Sequence, residues 1–140
     1  MKYPILHAER DLSFHHGLKT LLSQSGEFEF AAHCSHLDSA LLALDRYKPD
    51  ILITACHLVD EDSVLETFCE YRRTCLPGLK IIVLTELTSV DYMISALISG
   101  VDGYIRKDAT GEEIYRCIFD VFIGDTHIAI PRQVKKSSKE

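Results

Sequence analysis

Two runs in this chain are apolar at nearly every position, Ile51-Leu52-Ile53-Thr54 and Lys80–Thr85 (KIIVLT). A strand sends successive side chains to opposite faces, so runs of this kind need cover on both sides. That calls for central parallel strands flanked by helices, and the intervening segments supply them. Tyr3–Ala8 is a candidate first strand, and Asp11 can cap a helix in which Phe14, Leu18, Leu21 and Leu22 recur at helical spacing before Gly26. Phe28–Cys34 reads as a second strand, and Leu37, Leu41 and Leu44 as the buried stripe of a second helix. Ile51–Ala55 is the third strand, Ser63 to about Thr74 a third helix, KIIVLT the fourth strand, and a fourth helix ends at Gly100. Asp102–Arg106 is a short fifth strand, and a last helix runs to about Ile123, with Thr126–Ile130 left as an apolar tail. Ser35–Asp38, Ser63–Glu66, Thr88–Asp91 and Thr110–Glu113 have the form of capping motifs that satisfy the free amides of a first helical turn. Strands alternating with helices over short connections predict an α/β protein with a parallel sheet and right-handed crossovers.

A chain of 140 residues, 46% hydrophobic and 26% charged, suits one compact domain. Its formal net charge of −6 argues against nucleic-acid binding through this domain. The basic residues from Arg132 to Lys139 lie in a polar tail, so residues 1–131 are expected to form the domain and 132–140 a disordered tail or the start of a linker. No apolar run reaches the roughly 20 residues of a membrane span. The N-terminus also lacks a signal peptide's pattern. The five cysteines form no C-x-x-C pair, which predicts free buried thiols in a reducing, cytoplasmic setting.

Several fragments fall in order at the spacing of one known family: Gly17-Leu18, Pro49-Asp50, KIIVLT, the run Ser99–Asp108 (SGVDGYIRKD), and Lys107-Asp108-Ala109. Together they resemble the receiver domain of bacterial response regulators, in its NarL-type, LuxR-like form. The resemblance implies a flavodoxin-like (βα)5 sandwich with strand order 2-1-3-4-5. It also implies a regulatory rather than enzymatic role in two-component signalling and transcriptional control, ahead of a helix-turn-helix effector domain that this chain does not include.

The resemblance also implies a site. A working receiver holds Mg²⁺ on two acidic residues after the first strand, because a hard cation wants carboxylate oxygens. It phosphorylates an aspartate at the end of the third strand, and a hydroxyl and a lysine then contact the phosphoryl group. Here the acidic pair falls on Glu9 and Arg10, or on Glu9 and Asp11 if the register shifts by an insertion. The acceptor position falls on Ala55, which has no oxygen to phosphorylate. The hydroxyl maps to Thr85, the lysine to Lys107 and the aromatic that reports activation to Tyr104. Glu86 stands where the family keeps a small residue, and its carboxylate would repel a phosphoryl dianion. The pocket therefore reads as vestigial and no cofactor is expected, Mg²⁺ included. Lys107 needs either Glu9 or Glu86 as a partner, or else must point to solvent.

With phosphate gone, surfaces would carry function. Ile114, Cys117, Ile118 and Val121 form the buried face of the last helix, while Tyr115, Phe119 and Phe122 form a second stripe. That stripe, with His15 and Lys19 of the first helix beside it, is the expected partner surface, most simply for a homodimer. A heterologous regulator or effector protein is a further possible partner. His33 and His36 lack the remaining ligands of a metal site, and His15-His16 reads as a solvated pair. Two other readings compete with a phosphorylation-independent module: a displaced acceptor at Asp60, and a small-molecule-binding flavodoxin-like domain.

Overall fold

The computed structural model describes residues 2–87 and 89–128. Its elements are β1 (Tyr3–Ala8), α1 (Leu12–Ser23), β2 (Phe28–Cys34), α2 (Leu37–Tyr47), β3 (Ile51–Thr54) and α3 (Leu65–Cys75), then β4 (Lys80–Thr85), α4 (Val90–Ser99), β5 (Gly103–Arg106), α5 (Gly111–Phe122) and β6 (His127–Ile128). The strands pair in the order β2-β1-β3-β4-β5-β6, and every pairing is parallel. The expected five-stranded order is present with one addition. The apolar tail after α5 contributes His127 and Ile128, which pair with Gly103 and Tyr104 and cover the free edge of β5. The tail beyond Ile128, including the expected boundary near residue 131, lies outside the described residues.

The alternation inside the central strands decides the layers. Leu52, Ile81 and Val83 face one core with Leu44, Phe68 and Ala96 of α2, α3 and α4. Ile51, Ile53, Ile82 and Leu84 face the other, with Leu18 and Leu22 of α1 and Ile114, Cys117, Ile118 and Val121 of α5. Each such aliphatic side chain contributes on the order of 1.5–3 kcal/mol when fully buried. Gly103 keeps β5 and α5 close. A Cβ there would stand 3.1 Å from Val121 Cγ2 and 3.2 Å from Cys117 Sγ. Asp102 anchors the same run, since its Oδ2 accepts from the Ile81 amide at 2.9 Å and from Arg72 Nη1 at 2.8 Å.

The helix starts divide. Asp11 accepts from the Phe14 amide and Thr110 from the Glu113 amide, as expected, while α4 is capped by Ser89, which accepts from the Asp91 amide, one residue later than the motif predicts. Thr88, the expected first residue of its motif, lies outside the described residues. The motifs at Ser35 and Ser63 do not form: His36 and Val64 occupy those cap positions without a side-chain bond. For α2 the missing acceptor comes from far along the chain, because Asp60 Oδ1 takes the Leu37 amide at 2.6 Å. That bond holds the Asp60 carboxyl below its usual range. Three of the five free cysteines are buried, but Cys34 is half-buried and Cys75 exposed, a correction to the expectation of uniformly buried thiols.

Candidate functional site

The carboxyl ends of the central strands surround a small pocket of about 80 Å³, and Glu9, Arg10, Ala55, Thr85, Glu86 and Lys107 all line it. Glu9 follows β1 directly and is 1% exposed. Its Oε2 accepts from the Asp11 amide at 2.9 Å, and its Oε1 stands 2.9 Å from Lys107 Nζ. Its backbone carbonyl accepts from His33 Nε2 at 2.7 Å. Lys107 is placed by its own amide, which donates to the Thr85 carbonyl at 2.7 Å, and its ammonium lies 4.6 Å from the centroid of the Phe14 ring. Of the partners the sequence offered to Lys107, Glu9 is the one it meets. Arg10 and Glu86 also border the pocket but are exposed.

Ala55 is 8% exposed and brings a methyl group to the end of β3. Thr85 Oγ1 accepts from the Leu87 amide at 3.1 Å, which holds the start of the loop after β4. Burial pushes the neighbouring Cys56 thiol up, against a hydrogen bond to Thr85 that works the other way, so this thiol is not an activated nucleophile. His57 Nδ1 donates to the Asp62 carbonyl, tying the two ends of the β3–α3 loop together. Asp60 does not line the pocket; its carboxylate serves α2. The shift that would pair Glu9 with Asp11 does not occur either, because Asp11 caps α1.

The residues present do not fit Mg²⁺. The one carboxylate at the expected positions is engaged by Lys107 and the Asp11 amide, its neighbour is a cation, and Ala55 supplies no oxygen. Among the described residues no cluster of three or more His, Cys, Asp or Glu side chains could hold a metal ion.

Tyr104 is fully buried in the core beneath α4, and its hydroxyl meets no protein partner. Burial first, then Cys56, pushes it up to about 12. Leaving a buried hydroxyl unpaired costs roughly 1–3 kcal/mol. Tyr104→Phe is therefore expected to raise stability by about 1 kcal/mol. Urea denaturation would check this, and a lower midpoint would mean that the hydroxyl is bonded in solution.

The expected partner surface is only partly free. Tyr115 is half-buried and donates to Glu27 Oε1 at 2.6 Å, while Phe122 packs 4.4 Å from Tyr3 and 5.4 Å from Phe28, ring to ring. Phe119 and Lys19 are exposed. His15 is not part of that surface. It is 6% exposed, its Nδ1 is 2.8 Å from His7 Nδ1, and its ring stacks on His33 at 4.0 Å and 8°. Sequence neighbours on a helix do not share a face, so His15 and His16 part company. The spacing His15–Leu18–Leu22 carried the signal for its burial. Pairing through the fourth and fifth helices is the alternative the sequence leaves open, and α4 leaves Tyr92, Ile94, Leu97 and Ile98 exposed, Ile98 at 82%.

No family model matches the chain. It is 28% identical over 108 residues to the DNA-binding transcriptional activator DevR/DosR of Mycobacterium tuberculosis, covering 77% of this chain and 49% of that protein. It is 27% identical over 112 residues to the oxygen regulatory protein NreC of Staphylococcus aureus, covering 80% and 51%. A LuxR-family two-component response regulator from Aurantimonas sp. SI85-9A1 superposes over 100% of both chains, with a TM-score of 0.86 at 16% identity. The chain is thus similar to the receiver part of NarL- and LuxR-type response regulators and shares the receiver fold. It spans about half the length of the curated relatives it matches. No helix among its described residues is long and apolar enough to cross a membrane.

Proposed function

We propose that this receiver works without phosphorylation, as a regulatory and dimerisation module in transcriptional control. One observation carries the reading: a methyl group ends β3 where a receiver needs a carboxylate, facing a lysine whose charge Glu9 already balances. Phosphoryl transfer relies on positioning and on neutralising charge. Here the nucleophile is missing, the metal ligands are missing, and the neutralising cation is occupied. The pocket of about 80 Å³ is small for an organic ligand, since such sites usually measure some 300–1,000 Å³.

Pairing is proposed through the face of α1 and α5 that carries Lys19, Tyr115 and Phe119. RcsB, a response regulator of similar fold, has been solved as two dimers bound to two parallel DNAs. DNA contact in the whole regulator would then fall to an effector domain, in keeping with this domain's net charge of −6.

The test is incubation with a small-molecule phosphodonor and Mg²⁺, read by intact mass under mild acid, with sedimentation of the same samples. The expected result is unchanged mass and a dimer both before and after treatment. Gain of a phosphoryl group that disappears in Asp60→Ala would overturn the proposal and move the switch into the loop.

A further inference from the structure

Three histidines that the sequence scatters meet at one edge of the sheet: His7 on β1, His15 on α1 and His33 on β2. His7 is fully buried and His15 nearly so. Their Nδ1 atoms are 2.8 Å apart, so one must donate and the other, a neutral ring, accept; burial favours the neutral form of both. His33 donates from Nε2 to the Glu9 carbonyl and lies flat against His15 at 4.0 Å. Buried imidazoles stacked in this way have no structural necessity; three aliphatic side chains would fill the same space without unpaired ring nitrogens. His7 Nε2 is in fact buried without a protein partner.

The groups that act most on His15 push the same way: burial, then His33 on β2 and His16 and Lys19 along α1. His7 on β1 is bonded to it, and the N-cap Asp11 stands one turn away. Lys107 acts in the same direction on His7. A proton added to His15 therefore enters a nearly dry site, against the face of one imidazole and beside another. Relief comes from moving α1 off the edge formed by β1 and β2. The N-cap of α1 is Asp11, whose amide donates to Glu9 Oε2, the carboxylate that holds Lys107.

We propose that the His7–His15–His33 cluster is an acid-operated input to this domain: proton uptake at His15 releases α1 from the sheet edge and loosens Glu9 in the pocket. The proton comes from solvent to an imidazole ring nitrogen of His15 and leaves by the same route when the pH rises. The device is separate from any question of phosphorylation and survives whichever way that question falls.

The direction follows from the linkage between protonation and opening. Burial, then His33, His16 and Lys19, hold His15 down near 4, whereas a released imidazole titrates at about 6.5. The open form binds more protons below that value, so the closed form is fully favoured above about pH 6.5 and loses ground as the pH falls toward 4. One histidine changes the open-to-closed ratio by about tenfold per pH unit across that window, and a second, His7, would steepen it.

Amide hydrogen exchange followed by NMR from about pH 7 to about pH 4.5, corrected for intrinsic rates, tests this. In the unmodified protein, opening at the Asp11 amide and through α1 should rise about tenfold or more per pH unit below 6.5, while Phe68 and Cys69 of α3 stay protected. In His15→Phe, which keeps a ring for His33 to stack on but accepts no proton, the slope should lose the roughly tenfold-per-unit share of His15, leaving at most what His7 supplies. His15→Gln, smaller and polar, serves as the second variant should the first fold poorly. Protection of α1 that is flat with pH would overturn the proposal. So would a slope in either variant as steep as in the unmodified protein, or loss of protection in α1 and α3 together.

Discussion

Lys107→Met is expected to lower folding stability by about 3–5 kcal/mol, the range for breaking a buried ion pair from one side. The side chains of Lys107 and Glu9 are 15% and 2% exposed, so the glutamate left behind has little access to water. Its remaining bond, from the Asp11 amide, satisfies one oxygen. Contact with the Phe14 ring is lost as well. The paired variant Glu9→Gln/Lys107→Met should recover most of the deficit, because it removes both charges and keeps an acceptor for Asp11. Urea denaturation of the four proteins in the cycle measures the coupling. A loss below about 1 kcal/mol in the single variant would place the ammonium in water rather than on Glu9.

Restoring the acceptor alone should not restore the chemistry. Ala55→Asp is expected to take no phosphoryl group from a small phosphodonor with Mg²⁺, while Arg10→Asp/Ala55→Asp/Glu86→Ala should take one, read by intact mass. The single variant adds a carboxylate beside Glu9 and Glu86, leaves Arg10 where a metal ligand is needed, and gives Lys107 two anions to choose between. The triple variant supplies three carboxylates for a hard cation and removes the charge that would repel the incoming dianion. Phosphorylation of Ala55→Asp by itself would show that Arg10 does not block the metal. An inert triple variant would show that something beyond these residues closes the site.

Much of the architecture was legible because local signals agreed. ILIT and KIIVLT required cover on two faces, and the spacing of Leu18 and Leu22, or of Ile114, Cys117, Ile118 and Val121, named the helices that provide it. The pocket was legible too, since Glu9, Ala55, Thr85 and Lys107 stand at ends of adjacent parallel strands, and topology alone brings strand ends together. What escaped depends on register. His7, His15 and His33 meet only once β1 is paired with β2 and α1 is packed onto them; the spacing His15–Leu18–Leu22 signals that His15 is buried but not which residues it meets. Asp60 escaped for a similar reason: Ser35 and Asp38 satisfied the local rule for a cap, but an acceptor from more than twenty residues away took the Leu37 amide. The two residues of β6 were too few for any alternation to show.

The bond between Glu9 and Lys107 also bears on how such a domain can change over generations. In a lineage carrying this pair, mutation of codon 55 to aspartate meets a lysine already committed elsewhere and an arginine where the metal would sit. No single step improves the phosphorylation chemistry, and the first step adds an uncompensated negative charge to the pocket. The pair thus sets a threshold: from this sequence, an acyl-phosphate site at the end of β3 lies several simultaneous substitutions away.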